Sequence, residues 1–281
     1  MPSTIDRLRG FSTFWNAANW TGGVLPAAGD TAQVMDGFDD LTSTNDASGT
    51  NLAAVIFGAN YGTPTTTVGT NPEPIKVVCD QSGAGLFRFQ GQAASINLVS
   101  ISATSKIDIV EISPGNSTCV VSLSAMAITT ELLVDSGTVT LGSTCDVNTL
   151  LTQTGGTVIV SERAADPIPT INVRGGRMTL RRRWTSLNVS GGAVVTIDLP
   201  AGETGGTIVN NGGTVVHKRG NTGAHTHAGG TIDFSTLASS PTIASATVYA
   251  GTVYIKERGT FAPVYTSGLA IRGKGPRYAS T

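Results

Sequence analysis

The chain has 281 residues, with 18 Lys and Arg against 19 Asp and Glu, and only 13% of its residues are charged. That balance argues against nucleic acid as the main partner, because binding phosphates needs a basic surplus; no apolar run reaches the ~18 residues of a membrane-spanning helix. Glycine is abundant at 35 residues, Thr, Val, Ser and Ala dominate the rest, and Leu, Lys and Glu are thin, so short strands joined by tight turns are expected rather than long helices.

The opening stretch "MPSTIDRLRGF" lacks the apolar core of a secretory signal, so a chain made in the cytosol is expected. Next comes "FWNAANWTGGVLPAAGDTAQV", Phe14 to Val34, which holds Trp15 and Trp20. From Asn51 onward the sequence alternates apolar and polar residues. "NLAAVIFGAN" begins at Asn51, "PIKVVCDQSGAGLFRFQG" at Pro74, "ASINLVSISATSKIDIVEIS" at Ala94 and "CVVSLSAMAITTELLV" at Cys119. This is strand periodicity. Cys79, Cys119 and Cys145 fall within or beside these stretches. They are odd in number, widely spaced and form no CxxC pair, so buried free thiols are expected rather than a zinc site or a disulfide framework.

Further on, the alternation settles into a repeat. "LLVDSGTVTL" starts at Leu132, "LLTQTGGTVIV" at Leu150, "INVRGGRMTL" at Ile171, "LNVSGGAVVTI" at Leu187, "IVNNGGTVVH" at Ile208, "HTHAGGTIDF" at His225 and "TVYAGTVYI" at Thr247. In each, alternating apolar positions flank a glycine or a glycine pair. One copy is too short to bury its own apolar face, but stacked copies bury a continuous core. The expected fold is therefore all-β: a single-chain parallel β-helix, or solenoid, with glycine at a corner of each turn. A β-sandwich also has short alternating strands, but it gives no reason for the glycines to keep one place relative to the apolar positions. The expected organisation is an N-terminal cap or attachment segment over residues 1–50, β-helix repeats over 51–260 and an extended C-terminal tail over 261–281. Phe14, Trp15 and Trp20 are the candidates for closing the first turn, or for an exposed aromatic attachment surface.

All three histidines fall in register with core positions. His225 and His227 stand where other copies carry Ile171 and Val173, or Leu187 and Val189. His217 stands where other copies carry Val160, Leu180, Phe234 and Ile255. One reading is a metal site, with a His-x-His pair from each of three chains around a trimer axis. The reading that the register favours is structural: the corner widens and the rings sit hydrogen-bonded at a polar edge or a subunit contact. The dense basic run "RRRW", Arg181, Arg182, Arg183 and Trp184, is a candidate docking patch for an acidic protein surface. On a strand, Arg181 and Arg183 face one way and Arg182 and Trp184 the other. Asp108, Asp198 and Asp233 each lie between core residues and are expected to point outward. They could line a groove of the kind glycoside chemistry requires, but such residues more often keep a strand soluble. No nucleophile elbow and no phosphate loop occur. The chain is expected not to be an enzyme and to need no cofactor.

The Gly-Gly-Thr-Val type of repeat resembles the repeats of bacterial autotransporter passenger domains and of β-helix structural proteins of tailed phages. Asn19-Trp20-Thr21-Gly22-Gly23, followed by Pro26 and Gly29-Asp30, looks like the opening of such proteins. An autotransporter of that kind carries a signal peptide and a membrane barrel, so the resemblance points toward the phage virion. It implies a decoration protein on the head surface, assembled in the host cytoplasm, with the major capsid protein or other virion proteins as partners and a homotrimer as its form. A tail fibre or tailspike that binds a host glycan is the alternative, and a polysaccharide depolymerase a more distant one.

Overall fold

In the computed structural model the described residues are 3–7, 16–37, 40–41, 50–70, 74–99, 106–237, 241–255, 264–265, 269–271 and 277–280. Among the described residues strand is the dominant element, with two short 3-10 turns at Ala17–Asn19 and Thr21–Gly23. The chain divides into two compact units, Met1–Thr149 and Leu150–Thr281. Each is a parallel β-solenoid, and together they wind about ten turns.

In the first unit one wall is built by the successive parallel pairing of Thr4–Asp6, Thr31–Gly37, Ala54–Tyr61, Leu86–Phe89, Lys106–Ile112 and Met126–Val134. A second wall stacks Ser95–Val99, Val120–Ser124 and Thr138–Leu141. Parallel stacking puts equivalent residues about 4.8 Å apart, so each inward position forms a column. One column runs Val55, Phe87, Val110 and Leu132, all fully buried. Where the columns widen, Phe57 packs against Tyr61, Phe87 and Phe89 with ring centroids 5.4, 6.0 and 5.7 Å apart. Tilted rings at these separations are the favourable aromatic arrangement.

In the second unit the sequence repeat becomes the pairing register. Leu151, Ile171, Leu187, Ile208, His225 and Ala246 stand in one column. Val158, Met178, Val195, Val215, Ile232 and Val253 stand in another. Among the described residues the register slips between Val160 and Ile168 against the next strand, and again at Ile197–Asp198 and between Asn210 and Thr214. Strand pairing reaches both sides of 51–260: Thr4–Asp6 and Thr31–Gly37 join the first unit, and Val264–Tyr265, Leu269–Ile271 and Arg277–Ser280 pair in parallel in the second. Among the described residues no helix is long and apolar enough to cross a membrane.

Cys79, Cys119 and Cys145 are buried free thiols. Burial pushes the Cys119 thiol up to about 12. It raises Cys79 further, and the nearby Asp108 charge adds to the rise. Since the thiolate is the reactive form, none of the three should be modified by a thiol-specific disulfide reagent at pH 8 in the native protein. All three should react once it is unfolded in guanidinium. Rapid labelling of even one in the folded chain would contradict the packing described here.

Candidate functional site

The polar residues that interrupt the apolar columns form three groups. The first surrounds the glycine corners of the second unit. Gln153, Val173, Val189, Asn210, His227 and Val248 share one column. Gln153 is fully buried, and its amide nitrogen donates to the carbonyls of Gly155, Gly156 and Arg177 at 3.0, 3.1 and 3.0 Å. Asn210, also fully buried, accepts from the N–H groups of Gly212 and Gly213 at 3.3 and 2.9 Å, and donates to the carbonyls of Gly213 and Thr231, both at 3.1 Å. These amides satisfy backbone groups that a sharp corner strips of ladder partners. Asn210→Val, with the residue that fills the same slot at Val189, is expected to cost about 2 kcal/mol, because two corner N–H groups lose their acceptor. A denaturant melt of the variant would read this directly; an unchanged midpoint would mean the amide is dispensable.

The second group is the three histidines. His217, His225 and His227 are at most 2% exposed. They lie inside the second unit, which corrects the expected polar edge. The physical reason is the register itself: His217 stands above Ile197, His225 above Ile208 and His227 above the buried Asn210, each at an inward position of its column. The His217 and His225 rings stack with centroids 6.2 Å apart, His225 and His227 meet edge-on at 5.7 Å, and Phe234 lies 5.7 Å from His217. His217 Nε2 is 2.8 Å from the Gly220 carbonyl oxygen, to which it donates, and His225 Nε2 is 2.7 Å from the Thr222 hydroxyl. The Nδ1 atoms of all three rings and Nε2 of His227 have no hydrogen-bond partner. Burial pushes the His217 imidazole down to about 4, against the pull of the Gly220 carbonyl. Burial likewise lowers His227 to about 4. It holds His225 well below the usual imidazole value, and the charges that His227 and His217 would carry push it the same way. Among the described residues no group of three or more His, Cys, Asp or Glu is arranged to hold a metal ion.

The third group is in the first unit. Asp108 lies between the buried Ile107 and the half-buried Ile109, and it is itself only 1% exposed. The loop Gln81–Gly85 folds over it. One carboxylate oxygen accepts the N–H groups of Gln81, Gly83 and Gly85 at 2.6, 2.9 and 3.0 Å, and the other accepts the Thr129 hydroxyl at 2.6 Å. Ser82 and Gly83 have φ of +57° and +98°, so successive N–H groups converge into a concave anion nest. Burial opposes ionisation, but Thr129 and the N–H groups of Gly85, Gln81 and Gly83 outweigh it and hold the carboxyl below its usual range. The expected outward, solvent-facing carboxylate is thus corrected: Asp108 is buried. An outward carboxylate with a glycine-rich loop one turn earlier is the signal that would have revealed it.

Asp198 is half-buried and lies between Arg181 Nε at 3.4 Å and Arg219 Nε at 2.6 Å, and Arg219 also reaches Glu162 at 3.5 Å. Asp233 accepts the Ser235 N–H at 2.8 Å. Of the basic run, Arg181 is exposed and paired with Asp198, and Arg183 pairs with Glu203 at 3.1 Å. Arg182 and Trp184 face inward at 1% and 2% exposure, with the Trp184 indole N–H donating to the Thr207 carbonyl at 3.2 Å. The two faces of this strand are those the alternation predicts, and opposite charges one turn apart meet its outward arginines. Trp20 is fully buried and bridges to Arg7 in the antiparallel sense. Phe14 and Trp15 lie outside the described residues.

No protein-family model, no curated protein and no solved structure matches this chain.

Proposed function

We propose that this chain is a non-enzymatic structural component of a tailed-phage virion, a decoration protein on the capsid surface that acts as a homotrimer on the major capsid protein. The observation that carries the reading is where the reactive side chains are spent. Asp108 is locked in a backbone nest, Asp198 sits between two arginines, and the histidines and thiols fill the interior. A chain whose titratable groups hold its own turns together is suited to bearing load. Each turn is joined to the next by a parallel ladder, and the interior columns are closely packed. Docked across neighbouring capsid subunits, such a column would resist the outward pressure of packaged DNA without any chemical step. Flat outward faces with few net charges favour burial against copies of the same chain.

The test is location. Gold-labelled antibody raised against the purified chain should decorate the heads of the virions that contain it. Label confined to tails would replace this reading with receptor or glycan binding, and unlabelled virions would end it. Release of reducing ends from host capsule or lipopolysaccharide by the purified chain would establish a depolymerase instead.

A further inference from the structure

The histidine cluster does something that the load-bearing role does not ask for. An interior built for permanence would continue the aliphatic columns, as Leu180 and Ile197 do below His217, and as Leu187 and Ile208 do below His225. Three rings that can each take a proton instead stand in contact, sealed from water.

We propose that the turns from Thr207 to Val248 are an acid-release segment: when His217, His225 and His227 take up protons these turns open, while the aliphatic turns before them stay wound. This does not depend on the decoration reading. The argument is one of partners. A protonated imidazole needs two acceptors, yet the Nδ1 atoms of all three rings and Nε2 of His227 have none. The nearby interior amide, Asn210, already spends its oxygen on two N–H groups. Among the described residues no carboxylate faces the rings from a packed strand. On Val194–Asp198 and Thr207–Arg219 the charged residues are Asp198, Lys218 and Arg219. Lys218 is exposed, and the register shift after His217 brings Asp198 and Arg219 together, half-buried, where they pair with each other. On Asn221–Asp233 the acid is Asp233, which faces out and caps Ser235. Thr242–Val248 has no ionisable side chain, and Thr252–Ile255 has only Tyr254. Glu203, beside Thr204–Gly205, pairs with Arg183. Charge placed on the rings would therefore be buried, unpaired and self-repelling.

The sign follows from linkage. The unfolded chain binds protons with an ordinary imidazole value of about 6.5, whereas the folded rings resist them. The stability this contributes is full above about pH 6.5. It is lost as the pH falls toward the folded values, about 4 for His217 and His227.

Hydrogen–deuterium exchange of the full chain, corrected for intrinsic rates, reads the segment by itself. Amides of Thr207–Val248 should lose at least about tenfold in protection between pH 7.5 and 4.8, since protons bound by the opened form pull the equilibrium toward it. Amides of Arg177–Asp198 should not. A triple variant, His217→Ile, His225→Leu and His227→Val, takes the side-chain types found lower in the same columns and should lose the pH response. Equal protection at both pH values in the native chain would overturn the proposal, as would an undiminished response in the triple variant. Should the variant not fold, proton NMR of the native histidines decides. Rings that stay neutral until the amides open support acid release. Rings that titrate near the ordinary value while the amides stay protected refute it.

Discussion

Replacing Gly176 with alanine is expected to destabilise the Leu150–Thr281 unit by about 4 kcal/mol or more, a size reserved for substitutions that break packing outright. The same change at Gly192 should cost only about 1–2 kcal/mol, the ordinary price of a left-handed non-glycine residue. The two glycines have nearly the same backbone, φ +74° and +76°, at equivalent corners. They differ in space. A Cβ on Gly176 would overlap the Gly156 carbonyl oxygen and lie 2.7 Å from the Gly155 carbonyl carbon and 2.8 Å from Gln153 Nε2, whereas nothing lies within 4 Å of one on Gly192. The obstacles at Gly176 are backbone of the turn below and the amide that ties it, so relief would have to part the turns. Guanidinium melts of the two variants followed by circular dichroism measure the difference. Equal costs would mean that torsional strain, and not the approach of successive turns, keeps glycine at these corners.

Asp108→Ala should be the most damaging single change outside the aliphatic core of the Met1–Thr149 unit, at about 3 kcal/mol, because it leaves three converging N–H groups and a hydroxyl facing nothing. Asp108→Asn separates charge from hydrogen bonding. Its amide oxygen can still face the N–H groups of Gln81, Gly83 and Gly85, and its nitrogen can donate to Thr129, so about half the loss is expected. The carboxyl is held below its usual range in the folded chain. Its contribution is therefore full above the unfolded value of about 3.9 and disappears as pH falls through the lower folded value. Thermal melts between pH 7 and 2 should show the native chain losing stability at the acid end through this group and the asparagine variant losing less. If Ala and Asn are equally harmful, the nest is sensing charge alone; if neither is harmful, the loop Gln81–Gly85 is held by something else.

The all-β solenoid was legible before any coordinates, because its two determinants are local. Side chains alternate along a strand, and a turn that crowds its neighbour requires glycine; both leave marks at fixed spacing in the chain. The copies beginning at Ile171, Leu187, Ile208 and His225 align by eye, and the parallel ladder pairs those same residues. The same logic put the histidines in core register, and it divided Arg181 and Arg183 from Arg182 and Trp184.

The sequence by itself thus determined the class of fold, the inward column of each residue in the repeat and the outward direction of Asp198 and Asp233. Only the tertiary structure decided what covers an outward residue and what meets an inward one. Asp108 is sealed by a loop 23 to 27 residues earlier in the chain, and the three imidazoles meet in the interior from different columns, none being the ladder partner of another. Direction follows from the backbone torsions of a single strand. Burial and partnership are set one turn away, by residues whose distance along the chain varies with every loop, and no local pattern carries that information.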